Sequence, residues 1–364
     1  MDFLLTTERG IEYIASKEIR ELTGANAKVK GEGRLEMHGR PEDILTLNYC
    51  SNSLHRVIIL LLKTIFEDLK EIYISIKSIS FSEYIADDQK FAVRASRTGK
   101  HSFTSVDLAR VAGQAVIDAY KEEKGRRLKV DLDSPDVVII VEARGNELLV
   151  GIDTTGESLH RRGYRVYQHP ASLKSTIAYS LVRIAEWDTK ESLFDPFCGS
   201  GTICIEAARY ACKIPNLFRK NTFLFWGLRF LPHEDYKHIA SKVEEEIRKQ
   251  ELSISGCDIS PKHIEGAKKN AERIGVDLDF FTCDATKVKL SYDNIITNPP
   301  FGLRIGSKRK IIRLYNKFEQ NLFRDKLWKR AVVLTARPEL FDVEPKKKFN
   351  ILYGNLSASI LVFE

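Results

Sequence analysis

Leu193-Phe194-Asp195-Pro196-Phe197-Cys198-Gly199-Ser200-Gly201-Thr202 is the stretch that decides the fold. An apolar run ends on an aspartate, turns through two glycines and enters a segment with helical spacing. That order is strand, tight turn, helix, with glycine where backbone approaches a ligand closely at a helix N-terminus. Working outward, the periodicity predicts a helix at 171–186, strand 191–195, helix 201–211, strand 253–257 and helix 261–273. Beyond these it predicts strands 279–283 and 293–297, helix 311–328, strand 330–336 and a last strand pair within 349–363. Such alternation predicts an α/β domain, a mostly parallel sheet covered on both faces, with ligands at the carboxyl ends of its strands. The last pair predicts an antiparallel hairpin at the sheet edge.

The first half has a different pattern. A strand at 2–8, a helical stretch through Ile11, Ile14, Ala15, Ile19 and Leu22 stopped by Gly24, a strand pair around 27–37, a short helix after Pro41 and an apolar run from Val57 to Leu62 spell β-α-β-β-α-β. This predicts a ferredoxin-like unit. A second small α+β stretch follows: strand Phe91 to Ala95, a helix from Val106 to Tyr120, and a hairpin of 137–143 with 148–152 around Arg144-Gly145-Asn146.

With 43% apolar and 29% charged residues in 364, the composition is that of a globular protein and argues against disorder. The start, Met1-Asp2-Phe3-Leu4-Leu5-Thr6, has no basic targeting region and no apolar run is long enough to span a bilayer, so a cytoplasmic protein without membrane contact is expected. Cys50, Cys198, Cys204, Cys212, Cys257 and Cys283 form no CxxC pair and stand in apolar settings. They read as small buried side chains rather than disulfides or metal ligands, and no metal is expected. Of the net charge of +7, residues 1–164 carry −2 and residues 165–364 carry +9. Attraction for a polyanion is therefore concentrated in the second half.

Four strand ends in that half carry the chemistry: Asp195; Asp258 in Gly256-Cys257-Asp258-Ile259; Asp284 in Thr282-Cys283-Asp284-Ala285; and Asn298-Pro299-Pro300-Phe301-Gly302. In a parallel sheet they line one edge. The turn of Gly199, Ser200, Gly201 and Thr202 suits a zwitterionic amino-acid moiety, Asp258 two ribose hydroxyls, and Asp284 an adenine amino group.

The pair Asp-Pro-Phe-Cys-Gly-Ser-Gly-Thr and Asn-Pro-Pro-Phe-Gly resembles the S-adenosylmethionine-dependent Rossmann-fold methyltransferases that act on exocyclic amines. The resemblance covers about 190 residues by ordinary domain size. It implies S-adenosylmethionine as cofactor, held by Asp195, Phe197, Gly199, Ser200, Gly201, Thr202, Asp258, Ile259, Asp284, Ala285 and Asn298. An aromatic amine is a poor nucleophile, since its lone pair is delocalised into the ring, so the enzyme must chiefly position it. Asn298 Oδ1 and the Pro299 carbonyl would accept its two N–H bonds, the paired prolines would stiffen that carbonyl, and Phe301 would stack on the base. Cysteine-dependent base methylation is disfavoured, because neither Phe301-Gly302-Leu303 nor Leu334-Thr335-Ala336-Arg337 holds a cysteine.

Residues of about 66–165 resemble the THUMP RNA-binding domain with its preceding ferredoxin-like unit. The whole chain is thereby similar to the THUMP-containing guanine-N2 methyltransferases, especially those forming N2-methylguanosine at the sixth tRNA position. The domains expected are 1–65 (ferredoxin-like), 66–158 (THUMP), a 159–170 linker and 171–364 (methyltransferase). The resemblance implies docking on the tRNA acceptor stem and 3′ end by a monomer. Arg94, Arg97, Lys100, Arg126, Arg127, Arg161, Arg162, Arg304, Lys308 and Arg309 are the RNA-contact candidates. Two departures stand out. Residues 213–250, with Phe223-Leu224-Phe225-Trp226, intrude before the strand to Asp258, an insertion shared with ribosomal RNA guanine-N2 enzymes. Tenth-position tRNA enzymes tend to carry Asp-Pro-Pro-Tyr, against which Asn298 argues. Ribosomal RNA, tRNA position ten and an RNA-binding module with a vestigial cofactor site remain the alternatives.

Overall fold

The computed structural model describes residues 1–169, 171–302, 308–354 and 356–364. The chain begins β1 (Asp2–Thr7), α1 (Glu12–Thr23), β2 (Lys28–Gly31), β3 (Arg34–His38), α2 (Glu42–Cys50) and β4 (Leu54–Ile65). Gly24 ends α1 in the left-handed region, φ 74°, where a side chain would be strained. There follow α3 (Leu69–Lys77), β5 (Lys90–Thr98), α4 (Ser105–Lys124), β6 (Lys129–Val130), β7 (Val137–Arg144) and β8 (Glu147–Asp153). Thr104 and Asp107 form a reciprocal capping box on α4.

The two small units expected in the first half share one eight-stranded sheet, in the order β2-β3-β1-β4-β8-β7-β5-β6. The join is β4, which pairs antiparallel with β1 through Phe3↔Ile59 and with β8 through Ile59↔Ile152. Its twelve residues run well beyond the Val57–Leu62 apolar stretch. One core lies under this sheet, from Phe3, Leu5 and Ile19 to Ala112, Val116, Val141 and Ile152.

The second half runs α5 (Ser175–Ile184), β9 (Leu193–Asp195), α6 (Thr202–Ala211), α7 (His233–Glu245), β10 (Ile254–Asp258), α8 (Pro261–Ile274), β11 (Asp279–Thr282) and β12 (Asn294–Thr297). It closes with α9 (Lys308–Arg324), β13 (Arg330–Thr335), β14 (Lys347–Tyr353) and β15 (Leu356–Phe363). The sheet order is β11-β10-β9-β12-β13-β15-β14. From β11 to β13 neighbours are parallel, and β15 pairs antiparallel with both β13 and β14. The α/β class and the terminal hairpin are as the sequence predicts. The order reverses between β9 and β12, the topological switch point where ligands of open α/β sheets lie. The helix expected over 311–328 runs 308–324 instead. Lys326 turns the chain at φ 41°, and Trp328 folds back, donating from Nε1 to the Leu322 carbonyl at 2.8 Å.

The 213–250 insertion packs on the other half of the molecule. Phe223, Phe225, Leu228, Leu231, Tyr236 and Ala240 belong to the core under the first sheet. Tyr236 donates to the Pro41 carbonyl at 2.6 Å, Gln89 to the Gly227 carbonyl at 2.8 Å, and Phe225 N to the Thr154 carbonyl at 2.9 Å.

One cysteine expectation is corrected. Cys257 and Cys283 are joined as a disulfide, Cα to Cα 5.7 Å, while Cys50, Cys198, Cys204 and Cys212 are free. The pairing of β10 with β11 brings the two together; their 26-residue separation gives no hint of it. No helix among the described residues is long and apolar enough to cross a membrane.

Candidate active site at the strand ends

Hydrogen bonds tie the four strand ends into one edge. Gly199 N donates to Asp258 Oδ2 at 3.2 Å, linking the turn after β9 to the end of β10. Cys283 N donates to the Asp258 carbonyl at 3.1 Å, linking β10 to the end of β11. Thr297, the last residue of β12, donates its hydroxyl to Asp195 Oδ1 at 2.7 Å, beside the Phe197 N–H bond of 3.0 Å. Asn298 follows directly.

The turn itself is shaped for close approach. Gly199 and Gly201 have φ of 53° and 78°, and a Cβ on Gly201 would sit 2.8 Å from Phe280 Cζ. Gly201 caps α6, so the free N–H groups of that helix start at this edge. Ser200 and Thr202 are buried, whereas Phe197 is partly exposed and meets Phe318 edge to face at 5.0 Å. Ile259 is 75% exposed, a large apolar side chain standing open beside Asp258.

Burial pushes the Asp195 carboxyl up to about 7, against the opposing pull of its Thr297 and Phe197 bonds. Asp258 is half-buried. Its Oδ1 accepts from Ser260 N at 2.8 Å and meets His263 Nδ1 at 3.1 Å, so with Gly199 three of its four lone-pair positions are engaged. A diol accepted by both oxygens of Asp258 would have to displace His263. Asp284 accepts at Oδ1 from Thr286 N and Oγ1, and the Thr286 hydroxyl chiefly holds its carboxyl below the usual range. Ala285 is buried, its carbonyl taken by Asn321 Nδ2 at 3.0 Å.

In the loop after β12, Pro299 is buried, Pro300 exposed, and Phe301 half-buried against the second-half core. Asn298 Oδ1 is enclosed and has no hydrogen-bond partner among the described residues. A buried amide oxygen without a donor costs free energy, so Asn298 Oδ1 stands as an acceptor open to a further donor.

Sequence reasoning missed several neighbours of this edge. Asn270 on α8 donates to the Tyr167 and Ser200 carbonyls at 3.0 and 3.1 Å and accepts from Tyr167 N at 2.9 Å. His169 packs beside Gly199 and stacks edge to face on His263 at 4.2 Å. The segment 165–169 thus covers the glycine turn. Only His263, on the first turn of the helix after Asp258, left a readable signal.

The RNA-contact candidates fall into unlike classes. Lys100 and Arg127 are exposed, as is Arg97, whose Nη1 makes a long 3.4 Å bond to the Gly99 carbonyl. Arg126 faces Asp87 at 3.2 Å, Arg161 pairs with Glu157 at 2.8 Å, and Arg94 donates to the Leu132 carbonyl at 2.5 Å. Arg162 is a correction: only 2% exposed, it donates to the Leu159 and Asn52 carbonyls at 2.9 and 2.5 Å and pairs with buried Glu206 at 3.4 Å. Its guanidinium joins the halves and cannot reach a phosphate. Arg309 is exposed on α9; Arg304 and the side chain of Lys308 lie outside the described residues.

Comparison with known proteins adds identity to this geometry. Residues 162–347 match the family model described as RMKL-like, methyltransferase domain, residues 66–153 the THUMP domain, and residues 2–58 the RlmL ferredoxin-like domain. A tRNA (guanine(6)-N2)-methyltransferase of Methanocaldococcus jannaschii is 39% identical, covering 99% of both chains. The enzyme of the same description from Archaeoglobus fulgidus is 40% identical over 99% of this chain and 91% of its own. The solved structure of SMU.472 complexed with SAH superposes with a TM-score of 0.91 at 24% identity, over 100% of this chain and 97% of that one, which bears on the fold.

Proposed function

The chain belongs to the RMKL-like methyltransferase family, and from that premise we propose that it methylates N2 of the guanine at position six of tRNA, in the acceptor stem. The observation that carries the reading is the enclosed, unpartnered Asn298 Oδ1 at the edge shared with Asp195 and Asp258. S-adenosylmethionine, when bound, supplies the electrophilic sulfonium methyl.

The residues present fit that cofactor. The glycine turn and the start of α6 would offer backbone N–H groups to its carboxylate, Asp258 would take its ribose, Ile259 would face its adenine, and Asp284 would accept from the adenine amine. Asn298 Oδ1 and the Pro299 carbonyl accept the two N–H bonds of the guanine amino group. They hold its nitrogen in line without taking a proton before attack. Thr297, bonded to Asp195, keeps the Asn298 backbone in register with the cofactor turn. Phe301 stacks on the base, which must leave its pair to be reached, at a cost of a few kcal/mol. Arg94, Arg97, Lys100, Arg126, Arg127 and Arg161 hold the stem and 3′ end. The domain limits 1–65, 66–158 and 171–364 and a monomeric enzyme belong to the same reading.

The test incubates the purified protein with S-adenosylmethionine and a tRNA transcript, beside a transcript with adenine at position six, and maps modified nucleosides. N2-methylguanosine at position six alone is expected. Methylation at position ten, or of ribosomal RNA in its place, overturns the assignment.

A further inference from the structure

Helix α9 leaves the sheet edge at which Asn298 stands and runs back along the flank of the domain. Ile311, Tyr315, Phe318 and Leu322, three to four residues apart, form its buried stripe. Three loops of the site are fixed to it. A Cβ on Gly302 would come within 2.3 Å of Ile311 Cγ1, so the loop after β12 lies on the first turns of the helix. Phe318 carries Phe197 from the loop after β9. Asn321 holds the Ala285 and Val288 carbonyls, at 3.0 and 2.9 Å, from the loop after β11.

The opposite face is cationic. Arg309, Lys310, Arg313 and Lys317 are exposed, with the neutral Asn316 and Gln320 among them. Six basic residues stand in α9 against one acid, Glu319. That acid is buried, its Oε1 accepting from Asp342 N and Val343 N at 2.8 and 2.9 Å, so it neutralises none of the face. None of the four exposed cations has an ion pair among the described residues, whereas Arg126, Arg161 and Lys268 elsewhere on the surface face Asp87, Glu157 and Glu265. Like charges one turn apart repel, a cost that an anion laid along the face would turn into attraction.

Resting on the RNA substrate read above, we propose that this face of α9 is the docking surface for backbone phosphates of the strand that carries the target nucleotide. Arg309, Arg313 and Lys317 follow at steps of four residues, about 6 Å of rise each. That step is of the order of the separation between neighbouring phosphates on one strand. Because α9 starts at the site edge, Arg309 meets the phosphate nearest the extruded guanine, and Lys317 one farther along. The THUMP half then holds the end of the molecule while α9 grips the strand beside the reacting base.

The experiment uses the full-length protein with the triple substitution Arg309→Ala, Arg313→Ala and Lys317→Ala. Binding to the tRNA transcript is followed against salt. Each phosphate contact contributes about 0.7–0.9 to the slope of log affinity on log salt, so a loss of about 2–3 in slope is expected. KM for RNA should rise about tenfold or more with cofactor affinity unmoved. Arg309→Lys with Arg313→Lys and Lys317→Arg should restore the slope, which a merely structural role would not require. An Arg313→Cys variant carrying a hydroxyl-radical-generating iron chelate should cut the transcript within a few nucleotides of the methylated guanine. An unchanged slope, or cuts confined to the anticodon arm, overturns the proposal. If the wild-type enzyme instead methylates ribosomal RNA, the substrate reading fails, and the same slope and cuts on that RNA decide the role of α9.

Discussion

Replacing Asn298 with alanine separates function from stability in a way that a structural asparagine would not. Its Oδ1 is enclosed and unpaired, and an unsatisfied buried acceptor costs about 1–3 kcal/mol. Deleting it removes that cost and some packing, so the variant should be as stable as the parent or more so, by up to about 1 kcal/mol. For a chain of this size that is an upward shift of about 1–1.5 °C in the thermal midpoint. Methyl transfer should fall by about 10²- to 10³-fold, because one preorganised acceptor of the target amine is lost. Single-turnover transfer at saturating cofactor, with RNA and cofactor affinities measured in parallel, tests the kinetic half; calorimetric or fluorescence melting tests the other. Asn298→Asp keeps an acceptor and should retain partial activity. A wild-type rate in Asn298→Ala would remove the loop from the mechanism. A loss of several kcal/mol in stability would show that the amide holds the fold and not the substrate.

Asp258→Ala should weaken S-adenosylmethionine about 10- to 150-fold, from loss of charge-assisted bonds, and His263→Ala, by freeing Asp258 Oδ1, should tighten it about 2- to 12-fold; calorimetric titration of both variants checks the pair, and a weaker His263→Ala breaks the displacement argument. Asp195, raised to about 7, favours the fold most below its unfolded value near 4, a contribution lost as pH rises through 7, while a cationic cofactor nearby favours its ionised form. Cofactor binding at pH 6 should therefore release a proton, seen as a buffer-dependent heat that vanishes in Asp195→Asn; identical heats in all buffers would refute it. Arg162→Ala should destabilise by about 3 kcal/mol, the low end for a broken buried pair because Arg209 still faces Glu206 at 2.8 Å. Denaturant midpoints should show it while the RNA salt slope stays put, the reverse of Arg127→Ala.

What could be read from the sequence was local. The Asp195 turn, the stop at Gly24 and the 3.6-residue periodicity of α8 act within a few residues, and each element appeared where its chemistry placed it. Strand ends in alternating order also delivered Asp195, Asp258 and Asn298 to one edge. What stayed hidden depends on pairing between distant segments. The single sheet through β4, the Cys257–Cys283 bridge and the burial of Arg162 are products of tertiary packing, and an arginine reads alike whether it meets a phosphate or a buried glutamate. The covering of the glycine turn by residues 165–169 likewise rests on Asn270, about a hundred residues away.

The insertion at 213–250 leaves the methyltransferase half after α6 and buries Phe223, Phe225 and Tyr236 in the core of the other half. A joint filled with aromatic side chains cannot swing open without wetting them, at roughly 1.5–3 kcal/mol for each ring exposed. The span from the THUMP surface to Asn298 thus behaves as a calliper of set width, and under the proposed function an RNA presenting its guanine at another distance would itself have to bend to be modified. Selection among nucleotides would then be a matter of measurement as much as of base recognition, with the ruler written into a segment packed in the core of the other half.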